Sequence, residues 1–412
     1  MAPRQGNAGW PPALEITLKL SKKDVDLRQR LPLLLIQALL AVTLIQCSED
    51  PNPVGAGLLP ASDFLRLDTV SVTATGSYSQ ASIPLGTSSR LLIGNTPEIE
   101  SWAVLRFGPI PDSILFLPMV SAEVNLRTVY HFGDSLAPFS VDVHQVLQNW
   151  GTDSLTIDSI KAPGFYDAAS LPQASFSSVG DTATISIPVD TTIVRSWGTA
   201  SDTALTNFGL LLRPTNANVI KGFAPFTASN QTQLPQLLMR FQDTAGNIDT
   251  AIIKTGTYRY VARLGNTSWA SDSVRIHVRN GVAFRGFVAF DVSSIPLHAA
   301  IHKATLQLTL DPTQSEFNSF TVDSTLSIFI ASDGTVVNSI NEIGEPQQMG
   351  DRRIYASPVG QIVQRWVRGA SLEKIAIAGY GESNAVDLFV FYGAAASPAL
   401  KPKLTIIYSL IQ

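Results

Sequence analysis

Two stretches of this chain carry the same four pieces in the same order, so whatever fold one adopts the other must adopt too. In the first stretch Ala103-Val104-Leu105-Arg106-Phe107 is followed by Ile110-Pro111 and by Ser121-Ala122-Glu123-Val124-Asn125-Leu126. The second stretch has Gly286-Phe287-Val288-Ala289-Phe290, Ile295-Pro296 and Lys303-Ala304-Thr305-Leu306-Gln307-Leu308. Further on, Ile193-Val194-Arg195-Ser196-Trp197 answers to Ile362-Val363-Gln364-Arg365-Trp366. Each copy then closes on a proline and an apolar run, Leu234-Pro235 to Met239 and Lys401-Pro402 to Ile406. The order predicts a tandem duplication.

The pieces themselves predict strands. Runs of period two recur at Thr69–Thr75, Ala122–Arg127, Ser140–Val146, Thr182–Ile187, Lys303–Leu310 and Ser324–Ile330, with Gly, Pro, Asn and Asp between them. Only 15% of residues are charged, too few for the Glu- and Lys-rich surfaces of helices. The expected class is therefore all-β: two tandem antiparallel β-sandwich, jelly-roll-like domains, residues 64–243 and 250–412, behind an N-terminal lipoprotein signal. The polar segment Gln242–Thr250, with its Gly-Asn pair, is the expected boundary. Its Asp243, Asn247 and Asp249 do not match a calcium loop and read as a solvated linker. In the third piece the apolar residues fall at i, i+1 and i+4, which predicts a helical turn capping one end of each sandwich.

The address lies at the other end of the chain. Leu31–Ile45 is a fifteen-residue apolar run behind Lys22, Lys23, Arg28 and Arg30, short for a membrane span and right for a secretory signal. The only cysteine, Cys47, follows at once. Leu44-Ile45-Gln46-Cys47 resembles a lipobox, although Gln46 stands where such motifs prefer Gly, Ala or Ser. Ser48-Glu49-Asp50 is similar to the surface-export tag of Bacteroidota-type lipoproteins. Expected accordingly are a signal peptide over 1–46, with 1–24 a candidate mis-annotated extension, and a lipid-bearing tether over 47–63. The expected location is the outer membrane or cell surface of a Gram-negative bacterium, and the fold has no disulfide to lean on.

Chemistry leaves few marks. A net charge of −4 and an isoelectric point near 5.8 argue against a nucleic-acid partner. His298-Ala299-Ala300-Ile301-His302 has the spacing of zinc proteases but lacks the adjacent glutamate. No nucleophile elbow or phosphate loop is present. The expectation is a chain without catalytic residues, metal or cofactor. Its partners would be the membrane, through the lipid, and either a polysaccharide or an outer-membrane protein. Aromatic rings stack on sugars, so Trp102, Trp150, Trp269, Tyr258 and Tyr260 are the candidate ligand-binding residues, with Cys47 as the lipid-attachment site.

The order strand, "LRF", "IP", alternating strand, "IV..W" and terminal "P.L" strand resembles the DNRLRE-type domain, a carbohydrate-binding-module-like sandwich of secreted bacterial proteins. Trp366-Val367-Arg368-Gly369-Ala370 onward and Asn207-Phe208-Gly209-Leu210-Leu211-Leu212-Arg213-Pro214 carry the likeness, although the DNRLRE letters are absent. Pro51-Asn52-Pro53-Val54-Gly55-Ala56-Gly57-Leu58-Leu59-Pro60 is similar to the start of an uncharacterised Bacteroidota lipoprotein family of unknown function. Together these resemblances imply a tandem, sugar-binding surface lipoprotein, with an assembly lipoprotein as the alternative.

Overall fold

The computed structural model describes residues 64–410, apart from 80–87, 152–154, 170–172, 198–206, 216–217, 225–233, 266–268, 270–271, 273, 318–324, 333–334 and 370–372. The signal, Cys47 and the tether lie outside the described residues. The described residues fall within one compact unit, Ala61–Gln412.

The fold is antiparallel β throughout. The chain opens with β1 (Arg66–Ser79), β2 (Leu91–Asn95), β3 (Ile99–Phe107), β4 (Met119–Gly133) and β5 (Phe139–Gln145). Next come β6 (Gln173–Phe176), β7 (Thr184–Val189), β8 (Leu210–Pro214), β9 (Val219–Phe223) and β10 (Gln236–Gln242). The second series is β11 (Ile248–Leu264), β12 (Arg275–Arg279), β13 (Phe284–Phe290), β14 (Ala299–Thr309) and β15 (Leu326–Ser332). It ends with β16 (Thr335–Met349), β17 (Arg352–Pro358), β18 (Lys374–Gly379), β19 (Leu388–Tyr392) and β20 (Lys403–Leu410). Among the described residues four short helices intervene: α1 (Asp112–Leu115), α2 (Ile157–Lys161), α3 (Thr191–Ser196) and α4 (Gly360–Val367).

The period-two runs do what a half-buried sheet requires. In β4, Ala122, Val124, Leu126 and Tyr130 point inward while their neighbours are half-exposed. The two helical turns also form as expected. Asp190 caps α3 by accepting from the Thr192 N–H at 2.8 Å. That helix buries Ile193 and Val194, and α4 buries Ile362, Val363, Trp366 and Val367.

The duplication is visible in the pairing. β4 pairs β10, β7 and β9, while β14 pairs β20 and β17, and Leu310 just after it makes a single bridge to Phe391 of β19. β3 lies beside β8 as β13 lies beside β18, and β2 beside β9 as β12 beside β19. Two long strands complete the sheets, and their places are not those their sequence positions suggest. β11 pairs β10 through Ile248–Lys254 and β3 through Thr255–Leu264, closing the first lobe, β2–β11. β1 pairs β20 through Arg66–Ser71 and β13 through Val72–Ser79, closing the second lobe, β12–β20. Phe107 faces Thr255 and Phe290 faces Val72, each pairing breaks register one residue later, and the whole of β1 maps onto β11 at a fixed offset of 183 residues.

This redraws the division made on sequence. Residues 64–79 belong with the second lobe, and most of β11 with the first. Gln242–Thr250 is a hairpin inside one sheet: the Asp243 N–H donates to the Asn247 carbonyl at 2.9 Å, and the Asp243 carboxylate accepts from the Ala245 and Asn247 amides. The physical reason is connectivity. A five-residue hairpin lays β11 beside β10 at little entropic cost, and the equivalent groove beside β20 is left for β1.

Each lobe has its own core, but one segment of the second lobe enters the first. Ala385 and Val386 pack into the first lobe's cluster with Leu92, Tyr130 and Tyr260. The Val386 N–H donates to the Tyr130 hydroxyl at 3.1 Å, and Ser88 Oγ donates to the Ser383 carbonyl at 2.8 Å.

Candidate functional site

At the junction of the lobes polar side chains and open volume coincide. A cleft of about 760 Å³ is lined by Thr96, Pro97, Glu98, His131, Phe132, Gly133, Asp134 and Asn218 from the first lobe. Glu316 and Phe317 line it from the second. Its size falls within the range of small-ligand sites, about 300–1,000 Å³.

Three local structures build it. The first is the β2–β3 hairpin, where Thr96 Oγ1 accepts from the Ile99 N–H at 3.1 Å and the Thr96 N–H bonds the Ile99 carbonyl at 2.8 Å, so Glu98 stands at the tip. The second is the end of β4. Gly133, at φ +83°, lies so close to Asn218 that a Cβ would sit 2.4 Å from its carbonyl oxygen, and only glycine fits. Asn218 itself takes φ +88°, a conformation non-glycine residues rarely hold outside constrained sites. The third is the segment after β14, where Glu316 bridges to Leu388 through two backbone bonds and places Phe317 edge-on to Phe389.

Behind the carboxylates lies Arg279, fully buried at the end of β12. Its Nη1 is 3.2 Å from Glu316 and 3.5 Å from Glu98, and its guanidinium sits 4.7 Å over the Phe132 ring. Nε and Nη2 of Arg279 are buried without a hydrogen-bond partner among the described residues. On the far side, Lys221 is buried and donates to the Val179 carbonyl at 2.7 Å; burial pushes its ammonium below the usual lysine range. His131 Nδ1 meets Asp181 at 2.6 Å. The cleft therefore offers carboxylates, an amide and a hydroxyl at its mouth, two phenyl rings in its walls and fixed positive charge beneath. Such a surface suits a neutral, hydroxyl-rich ligand: carboxylates and amides take hydroxyl hydrogen bonds, and rings cover C–H faces.

The aromatic residues singled out by sequence sit elsewhere. Trp102 and Trp150 are buried together in a small core with Val104, Ile157 and Phe165, Trp102 beneath Lys161 and Trp150 beneath Arg106. The Trp150 indole N–H donates to the Phe208 carbonyl at 2.8 Å. Tyr260 is a joint between the lobes, its hydroxyl donating to the Ser383 carbonyl, while the Tyr258 hydroxyl donates to the Ser88 carbonyl just before β2; Tyr260 is fully buried, which drives its hydroxyl far above the ordinary tyrosine range. Trp269 is half-buried, stacked on His277, and donates to Glu98 at 3.0 Å. Through that bond Trp269 touches a residue of the cleft. Cys47 lies outside the described residues.

Sequence reasoning passed over the cleft residues because Glu98, Asp134 and Asn218 stand in turns, where polar side chains are the rule, and Glu316 on an isolated bridge outside any period-two run. The one available signal was Asn218, a polar residue in the short turn between apolar β8 and β9. Among the described residues no three His, Cys, Asp or Glu side chains converge on a metal-sized site, and no helix is long and apolar enough to cross a membrane.

Neither the family models nor the curated proteins contain a match to this chain. Among solved structures the chain is similar to the major pilin SpaA of Corynebacterium diphtheriae, at 11% identity and a TM-score of 0.17. The match covers 62% of this chain and 53% of that one. The pilin's description speaks of a modular pilus assembly and stabilizing isopeptide bonds; a likeness this slight carries no weight for the present chain.

Proposed function

We propose that the protein is a non-catalytic, lipid-anchored surface module that binds a neutral glycan or similar hydroxyl-rich polymer in the cleft between its lobes. The observation that carries this reading is the cleft itself, where Glu98, Asp134, Asn218 and Glu316 surround a volume walled by Phe132 and Phe317. The lipid anchor and surface location rest on the leader and on Cys47. The duplicated sequence invites two sites, one per copy; the cleft supports one site per chain, built from both lobes.

The test is retention of the soluble form, Ser48–Gln412, on a panel of immobilised polysaccharides. At least one neutral polymer should hold the protein, and Asp134→Ala with Glu316→Ala should weaken retention at least tenfold, while Phe116→Ala leaves it unchanged. Release of reducing ends would overturn the non-catalytic reading. Labelled palmitate should enter the wild type and not Cys47→Ser.

A second reading, an assembly lipoprotein packed on an outer-membrane protein, draws on one observation. Phe116 is 85% exposed and Val120, close by at the start of β4, is 56% exposed. If no polymer is retained and crosslinking in cells through position 116 captures an outer-membrane protein, this reading replaces the first.

A further inference from the structure

The two closing strands do one job under different terms. β11 is tied to β10 by a five-residue hairpin and buries Thr255, Arg259, Tyr260 and Val261. β1 makes six pairs with β20 and seven with β13, yet of its fourteen residues only Val70 is buried. Eleven residues, 80–90, separate it from β2. A strand that contributes backbone bonds but little apolar burial belongs to the low-stability end of a fold. Its departure would bare the edges of β13 and β20, a template for strand addition.

The groove is nonetheless shaped for this strand in particular. Gly76 passes beneath Phe287, where a Cβ would lie 2.8 Å from the ring. Ser77 Oγ accepts from the His277 N–H at 2.7 Å, Thr75 Oγ1 accepts from the Ala394 N–H at 3.0 Å, and Thr73 Oγ1 donates to the Ala289 carbonyl at 3.0 Å. A strand lacking these residues at these positions would leave the donors unmet. The occupant that fits is another β1.

We propose that the groove between β13 and β20 is an intermolecular interface, taking β1 from a second copy of the chain so that copies join by strand exchange. The arrangement already operates inside one molecule: by sequence order β1 opens the first copy and closes the second lobe, while β11 opens the second copy and closes the first. Passing β1 to a neighbouring chain keeps every pairing of the closed form and relieves the loop of its return, the usual thermodynamic basis of domain swapping. Exchange that is not reciprocal leaves one groove and one strand open at the two ends and propagates as a chain of copies.

Cross-strand disulfides test this in Ser48–Gln412, which lacks cysteine because Cys47 is the only one in the sequence. Thr69 and Thr405 are register partners, exposed and half-exposed, at a separation antiparallel neighbours bridge readily. Thr69→Cys and Thr405→Cys chains are mixed at high concentration, loosened in sub-denaturing urea, returned to buffer and oxidised. The expected product is a dimer joined from 69 to 405, several-fold above a mixture in which Ser186→Cys replaces Thr405→Cys. Oligomers should vanish when one chain carries both cysteines and is oxidised first as a monomer. Hetero-dimer no more abundant than the control, or oligomers persisting in the locked chain, overturns the proposal. Ser71→Cys with Lys403→Cys, the next pairing on the same face, exposed and half-exposed, gives the same readout should either first variant misfold.

Discussion

β1 and β11 occupy equivalent places in the two lobes, and the contrast between them shows how much of a strand's hold comes from what precedes it. β11 arrives by hairpin, so its closure entropy is small, and its second half drives Tyr260 into the first lobe's core and Val261 into the smaller cluster around Trp102. β1 arrives from the far end of the lobe's sequence and is held largely by backbone pairing. Equal topology does not mean equal stability.

The largest effect should come from breaking that asymmetry outright. A chain beginning at Ser88 lacks β1; its second lobe is expected to lose cooperative unfolding and near-ultraviolet dichroism, and the fragment 250–412 to fail likewise. Moving residues 64–79 behind Gln412 on a short linker should restore both signals. There the end of β20 meets the start of β1, since Tyr408 pairs with Arg66 as Phe241 pairs with Asp249 beside the β10–β11 hairpin. A Ser88-start chain that melts as the parent does would break the comparison.

Next in size are the helix caps, where the lobes should behave alike. Trp366→Ala removes an indole that is 3% exposed in the second core and should cost about 3–5 kcal/mol by chemical denaturation. Trp197→Ala, stacked on Phe107 in the first lobe, should cost a similar amount. A loss below about 1 kcal/mol at either position would place that ring outside its lobe's core.

A smaller effect is expected where the lobes lock together. Tyr130→Phe strands the buried Val386 N–H and should cost about 1–3 kcal/mol. Amide exchange should quicken at Val386 in the second lobe although the substitution is in the first. Unchanged exchange there would mean the lobes are coupled elsewhere.

The smallest is a pH effect. Burial lowers the His144 and His277 imidazoles below the usual histidine range, His144 in the first lobe and His277 beside β1 in the second. Groups depressed on folding contribute stability above their unfolded pKa, about 6.5, and that stability is lost as pH falls below it. Urea midpoints should drift down on acidification from pH 7 to 5, and His277→Phe should flatten the drift in the second lobe's signal alone. A drift untouched by that substitution would assign it to other groups.

Much of this molecule is legible in its sequence. Period-two runs yielded the inward faces of β4 and β14, and the i, i+1, i+4 spacing of Ile193, Val194 and Trp197 yielded a helical turn, because both patterns are local consequences of backbone geometry. The four repeated anchors yielded the duplication. Aromatic residues misled, since Trp102, Trp150 and Tyr260 are large enough to serve a core as well as a ligand, and composition does not say which.

What the sequence determined, then, is the type and buried face of the period-two strands and of the two helical caps, and the match of four anchors between the copies. Which lobe an element completes was decided in three dimensions. The run at Thr69–Thr75 announces a strand with one face inward, but alternation names no partner; only the competition between a short hairpin for β11 and a long return for β1 assigns each to its groove. The cleft follows from the same step, because Glu98, Asp134, Asn218 and Glu316 are ordinary polar residues of connecting segments until the two lobes bring them around one volume, with Arg279 behind Glu98 and Glu316.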